Sequence, residues 1–150
     1  MRSSFPKYLP LLALLAGCAQ LPGLTLGPGQ TLKGKVSGAT FSGATTKVGV
    51  LSGSFLPSDM TRAAVVSVSG DGSWSYSLPA GAKENLTVFA FQDTNGNGKF
   101  DSGEKNSYTG CPGCSYVVAS PVGDAWKVYI KRSGTSSDTD VASANIDFSA

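Results

Sequence analysis

Along most of this chain apolar and polar side chains alternate with a period of two, a pattern that builds strands and leaves no helix of useful length. Leu32, Gly34 and Val36 share one face while Lys33 and Lys35 take the other. Trp74, Tyr76 and Leu78 oppose Ser73, Ser75 and Ser77, and Trp126, Val128 and Ile130 are in register, as are Ala144, Ile146 and Phe148. Residues 46–51 and 116–119 are further strand candidates, and one helical turn fits residues 58–61. Residues 64–69 and 73–78 flank Gly70-Asp71-Gly72 and read as a hairpin, because the glycines allow positive φ in the turn. Residues 86–91 are apolar on both faces, which places that strand at the centre of a sheet. Short strands separated by Gly-rich turns predict an all-β fold, a single antiparallel β-sandwich of about seven strands.

The central strand leads into the sharpest chemistry in the chain, DTNGNGKFDSGE at residues 93–104. These residues fit the calcium-loop pattern D-x-[DN]-x-[DN]-G-x5-E at every defined position. A hard cation such as Ca2+ takes several oxygens at once, and alternate positions of a tightly wound loop can aim them at one centre. The predicted ligands are Asp93, Asn95 and Asn97, the backbone carbonyl of Lys99, Asp101 directly or through water, and Glu104 with two oxygens. Gly98 permits the sharp turn between them. A metal-free Asn-Gly turn would need neither Asp101 nor Glu104 at those offsets. Residues 85–92 before the loop are rich in β-formers, and residues 108–114 after it hold a Pro-Gly that no helix interior accepts. The loop is therefore EF-like in its ligands and lies between β-segments.

The amino-terminal residues have a different character. Arg2 and Lys7 give a positive start, residues 8–16 are apolar but too few to span a bilayer, and Leu15-Ala16-Gly17-Cys18 closes the run with small residues. This resembles a bacterial lipoprotein signal peptide with its lipobox. The resemblance implies cleavage after residue 17 and lipidation of Cys18, which would become the first residue of a membrane-anchored, exported protein. Several acyl chains on one residue hold a protein at a membrane where a single chain does not. In the Gram-negative lipoproteins it resembles, an Asp after the cysteine favours the inner membrane, so the resemblance implies that Ala19 leans towards the outer membrane or the cell surface. Residues 18–30, with two prolines, several glycines and no charge, read as a flexible tether whose leucines can brush the domain surface, and residues 31–150 read as one domain. The 12 basic and 10 acidic residues come into balance once Arg2 and Lys7 leave with the signal, which argues against a nucleic-acid partner. Lys127, Lys131 and Arg132 then read as the solvated edge of a sheet.

A second resemblance concerns the domain itself. LKGKVSGA, SVSGDGSWSYSLPAG and LTVFAFQDTNGNGKFDSGE are similar to segments of prealbumin-like β-sandwiches, including the carboxypeptidase regulatory-like domains of secreted bacterial proteins. There a G-x-V strand opens the domain, a strand of the dG-x-[FWY]-x-[FLY] type closes a hairpin, and an "lP" comes after it, here Leu78-Pro79. The loop resembles the calcium loops of related modules in surface adhesins. What these resemblances imply is a prealbumin-like or Ig-like sandwich serving as a non-catalytic accessory or adhesive module.

Cys111 and Cys114 flank a Pro-Gly, the centre of a type II turn, which brings them within about 7 Å and so within reach of a disulfide. A thioredoxin-like redox role would need a helix after the first thiol, and the residues beyond it read as a strand. Zinc is disfavoured because two cysteines in a chain without histidine cannot supply four ligands. The absence of histidine also removes Ser-His-Asp and Cys-His nucleophiles. Carboxylate-pair hydrolysis has candidates in Asp59, Asp71, Asp124, Asp138, Asp140 and Asp147, most of them in Gly/Ser/Thr surroundings typical of turns. Trp74 and Trp126 could line a sugar-binding face, yet each continues an apolar stripe and reads as core. The sequence thus predicts no enzyme. It leaves three readings in order: a calcium-stabilised envelope module that is structural or binds another protein, a module binding a glycan or small ligand, and a thiol-disulfide redox protein.

Overall fold

The computed structural model describes residues 24–27, 29–38, 41–53, 56–109, 111–135, 138–140 and 143–148. The expected leader at residues 1–17, the lipidation site Cys18 and the first part of the expected tether lie outside the described residues. The strands are β1 (Leu24–Leu26), β2 (Thr31–Ser37), β3 (Thr46–Ser52), β4 (Ala64–Ser67), β5 (Ser73–Ser77), β6 (Leu86–Gln92), β7 (Ser115–Val122), β8 (Ala125–Arg132), β9 (Asp138–Asp140) and β10 (Ile146–Asp147). A 3-10 segment, Pro57–Arg62, begins on its proline and falls where the helical turn is expected.

Two sheets form the sandwich. The larger runs β1-β8-β7-β6-β3-β4, with β9 also on β8, and the smaller runs β10-β2-β5. Every pairing is antiparallel except that of β10 with β2. The all-β sandwich expected from the period-two pattern is what the chain forms, because each stripe meets a matching stripe on the facing sheet. Leu32, Val36, Trp74, Leu78 and Ile146 of the smaller sheet pack against Val48, Val50, Val88, Ala90, Val117, Trp126 and Val128 of the larger.

Strand β6 shows why its sequence is apolar on both faces. Leu86, Val88 and Ala90 enter the core between the sheets, while Phe89 and Phe91 join a second cluster with Met60 and Phe100. Met60 comes from the 3-10 segment and Phe100 from the loop after β6, so the outer face of the larger sheet is covered by two non-strand segments. Gly49 on β3 makes the space, since a β-carbon there would lie 2.4 Å from Phe89 Cζ.

The paired hairpin expected at residues 64–78 does not form. The turn is present, with Gly72 N–H donating to Ser69 O and Ser69 N–H to Ser73 O, both at 2.9 Å. The strands on either side separate: β4 pairs with β3, and β5 pairs with β2. The turn is a corner between the two sheets. Opposite Trp74 stands Gly34, which leaves room for the indole in the core, and β4 offers no equivalent position.

Strand β8 differs from the bare edge expected for Lys127, Lys131 and Arg132. Strands β1 and β9 lie end to end along its outer side, with Thr25 opposite Lys127 and Asp138 opposite Lys131. Residues 24–26, read from the sequence as tether, are thus part of the sheet, and Leu26 packs against the core. Near the carboxy-terminal end Ala144, Ile146 and Phe148 are buried, as their register predicts.

Candidate metal centre

The loop after β6 is held at its first residue by the chain entering β3 and at its far end by β6 itself. Asp93 N–H donates to Thr45 O at 2.9 Å, Gln92 N–H to Lys105 O at 2.9 Å, and Ser107 N–H to Ala90 O at 2.8 Å. Ala90 N–H in turn donates to Ser107 Oγ at 2.8 Å. Residues 93 and 104, first and last of the pattern, therefore start from fixed backbone. Phe100, the only apolar side chain within residues 93–104, pins the middle. Its ring meets Phe89 and Phe91 edge-on, with centroids 5.8 and 5.5 Å apart.

Inside the loop the candidate ligands are tied to one another. Asp93 is buried, and its two oxygens accept from Asn97 N–H at 3.1 Å and Gly98 N–H at 2.9 Å. Asn95 Oδ1 accepts from Asn97 N–H at 3.0 Å, and Asn97 Oδ1 from Lys99 N–H at 2.8 Å. These are side-chain-capped turns of the kind that Asn and Asp form with backbone two residues on. They suit the left-handed backbone at Gly96 and Gly98, whose φ values are 72° and 74°. The side-chain amides of Asn95 and Asn97 both donate to Asp101 Oδ2, at 2.7 and 2.5 Å. Glu104 closes the ring: Oε1 accepts from Thr94 N–H at 2.8 Å and Thr94 Oγ1 at 3.1 Å, and Oε2 from Asp101 N–H at 3.0 Å.

Asp93, Asn95, Asn97, Asp101 and Glu104 thus belong to one hydrogen-bonded loop, and Lys99 enters it through its backbone N–H. The donor set is oxygen throughout, which fits a hard cation such as Ca2+ and not a soft one. Among the described residues no three His, Cys, Asp or Glu side chains are close enough to hold an ion by themselves. An ion here would therefore depend on the Asn amide oxygens and a backbone carbonyl as well as the carboxylates. An amide oxygen that already accepts one N–H keeps a second lone pair for this purpose.

Beyond the loop, Asn106 organises the return of the chain. Its Oδ1 accepts from Tyr108 N–H, Thr109 N–H and Thr109 Oγ1 at 3.0, 2.7 and 3.1 Å, while its Nδ2 donates to Glu104 O at 3.4 Å. Cys111 and Cys114 come next, joined by a disulfide with their Cα atoms 5.5 Å apart. Gly113 has φ 84° and Cys114 N–H donates to Cys111 O at 3.2 Å, the geometry expected of a Pro-Gly type II turn. Both cysteines are buried, and β7 starts at once after Cys114.

A cavity of about 600 Å³ lies beside the loop, with Met60, Phe100, Cys111 and Phe148 among its apolar walls and Glu104 and Lys105 on its polar side. Trp74 and Trp126 are core side chains, only 4% and 3% exposed. The exposed large apolar side chains among the described residues are Leu56 and Val122, and neither is aromatic. Thr94, Phe100 and Asn106 are the supports that motif reading passed over. Phe100 could have been found as the lone apolar residue of a polar loop; Asn106 carries no local signal that sets it apart from a turn residue.

The class this architecture defines is an antiparallel two-sheet β-sandwich whose central strand runs into a loop with an oxygen-donor set. No family model, curated protein or solved structure matches the chain.

Proposed function

We propose that this protein is a calcium-stabilised β-sandwich module of the cell envelope, anchored by lipid on Cys18 and structural or protein-binding, not catalytic. One observation carries the calcium reading: all the oxygen-bearing side chains of the motif lie in a single hydrogen-bonded loop clamped to the central strand. Asp93, Asn95, Asn97, Asp101, Glu104 and the Lys99 carbonyl would hold the ion, the amide and backbone oxygens supplying the donors that the carboxylates alone do not. A metal in this position stabilises the native state because the unfolded chain offers no such cluster. The resemblance of residues 1–18 to a lipoprotein leader supports the anchor, and that of the strand motifs to secreted accessory domains supports an envelope setting.

The test is thermal unfolding with Ca2+ and with chelator, for the protein and for an Asp93→Asn, Glu104→Gln double variant. Neutral Asn ligands suit the affinity range of extracellular modules, ~10^-4 to 10^-3 M. At about 5 mM Ca2+ such a site adds roughly 1–2 kcal/mol, or about 3–10 °C in Tm for a domain of this size. A shift that the double variant lacks places the ion in this loop. Equal melting temperatures with and without calcium would refute the reading.

A further inference from the structure

The calcium motif ends at Glu104, but contacts of the residues beyond it link the loop to the cysteine bridge. Two residues beyond Glu104 stands Asn106, whose backbone forms an isolated β-bridge with Phe91 of the central strand. Asn106 Nδ2 reaches back to Glu104 O, and its Oδ1 gathers the backbone of Tyr108 and Thr109 into a turn. Its carbonyl oxygen lies 3.6 Å from Cys111 Sγ. On the far side of the bridge Cys114 O accepts from Ser133 N–H at 2.7 Å, at the end of β8. Residues 104–109 thus lead from the closing carboxylate towards the bridge, and the Cys111–Cys114 turn is tied to the larger sheet. The same cavity touches both ends, since Glu104, Asn106 and Cys111 all line it.

From these contacts of Asn106 with both Glu104 and Cys111 we infer that the disulfide is a positioning element for the calcium loop: reducing it weakens calcium binding, with Asn106 as the residue that transmits the effect. The inference rests on the calcium reading above. Glu104 is the ligand that must hold two oxygens on the ion, and it sits at the chain end of the loop, where its position depends on the anchoring of residues 105–109 and of the cysteine turn that Asn106 touches. Reduction breaks the Sγ–Sγ bond. Each sulfur gains one electron and one proton from an external dithiol, which leaves as its own cyclic disulfide. The turn at Pro112-Gly113 then loses its covalent closure, and the residues that lead to it gain freedom that calcium binding must remove. Linkage makes the effect reciprocal, so bound calcium must make the bridge harder to reduce by the same factor.

The experiment is calcium titration by calorimetry on the oxidised protein and on protein reduced with dithiothreitol, with near-ultraviolet circular dichroism to establish that both are folded. The bridge's reduction potential is measured in parallel, in dithiol buffers with calcium or chelator. About tenfold weaker binding after reduction is expected, with the potential about 30 mV more negative in saturating calcium. Equal affinities in the two redox states, with calcium bound in both, would overturn this inference and leave the calcium site standing. Absence of calcium binding in both states overturns the calcium reading itself, and this inference with it. Asn106→Ala should bring the ratio of the two affinities close to one; a ratio still near tenfold would remove Asn106 from the path. The comparison of redox states uses the unaltered chain, so it decides the matter even where that variant fails to fold.

Discussion

Replacing Phe100 with alanine removes the ring that closes the outer-face cluster, and the consequences can be worked from its surroundings. The side chain is 7% exposed and makes edge-on contacts with both Phe89 and Phe91. Buried Phe→Ala changes cost about 3–5 kcal/mol through lost transfer energy and residual cavity. Phe100 already borders the cavity beside the loop, so its neighbours are open on one side and the lower end applies, about 3 kcal/mol. For a domain of this size that is a fall in Tm of roughly 10 °C or more. The loop has no other apolar anchor, so it should also need more ordering when it binds an ion, and the calcium-dependent rise in Tm should shrink. Phe100→Leu, which keeps most of the volume, should lose less than about 1.5 kcal/mol. Denaturant and thermal unfolding with and without calcium measure both effects. A Phe100→Ala variant within about 2 °C of the parent would show that the ring does not close the cluster with Phe89 and Phe91. A large loss of stability with an undiminished calcium shift would show that Phe100 serves the sheet and not the loop.

Two further expectations concern the rest of the sandwich. The carboxyl of Asp71 is lowered from 3.8 to about 2, first by the hydroxyl of Ser73, then by the Ser73 N–H, with Lys35 adding a smaller pull at 3.4 Å. Because the folded value lies below the unfolded one, its contribution is present above pH 3.8 and is lost as the pH falls through about 2. A carboxyl titration by NMR should show the low midpoint and Ser73→Ala should raise it; a midpoint unmoved by that change would contradict the assignment. Gly34→Ala should cost roughly 3 kcal/mol in chemical denaturation, because the new β-carbon would lie 1.8 Å from the backbone oxygen of Ala144. A loss below about 1 kcal/mol would show that the segment carrying Ala144 does not pass beneath β2.

The range of the forces involved sets how much of this was legible in the sequence. Alternation at Leu32, Gly34 and Val36, or at Trp126, Val128 and Ile130, assigns each residue to a face, since the pleat has a period of two and burial rewards a consistent side. The local chemistry of the loop was equally legible, because Asx turns and left-handed glycines act over two to five residues. So was the cysteine pair, since Pro-Gly sets its own turn. Residues 64–78 illustrate the limit: alternating flanks and a Gly-Asp-Gly turn look the same whether the flanks pair or part into two sheets.

What the sequence alone determined, then, is the face of each strand, the sandwich class, the oxygen-bearing residues that share the loop between Asp93 and Glu104, and the closeness of Cys111 to Cys114. Only the tertiary structure decided the partners. It put β5 on β2, laid β1 and β9 along β8, and brought Lys35 N–H to Asn145 Oδ1 across a separation of 110 residues. It also set Phe100 on Phe89 and Phe91, and brought Asn106 against both Glu104 and Cys111. The reason is that period and propensity specify which way a side chain points, whereas the surface it meets is chosen by burying complementary faces of segments far apart in the chain.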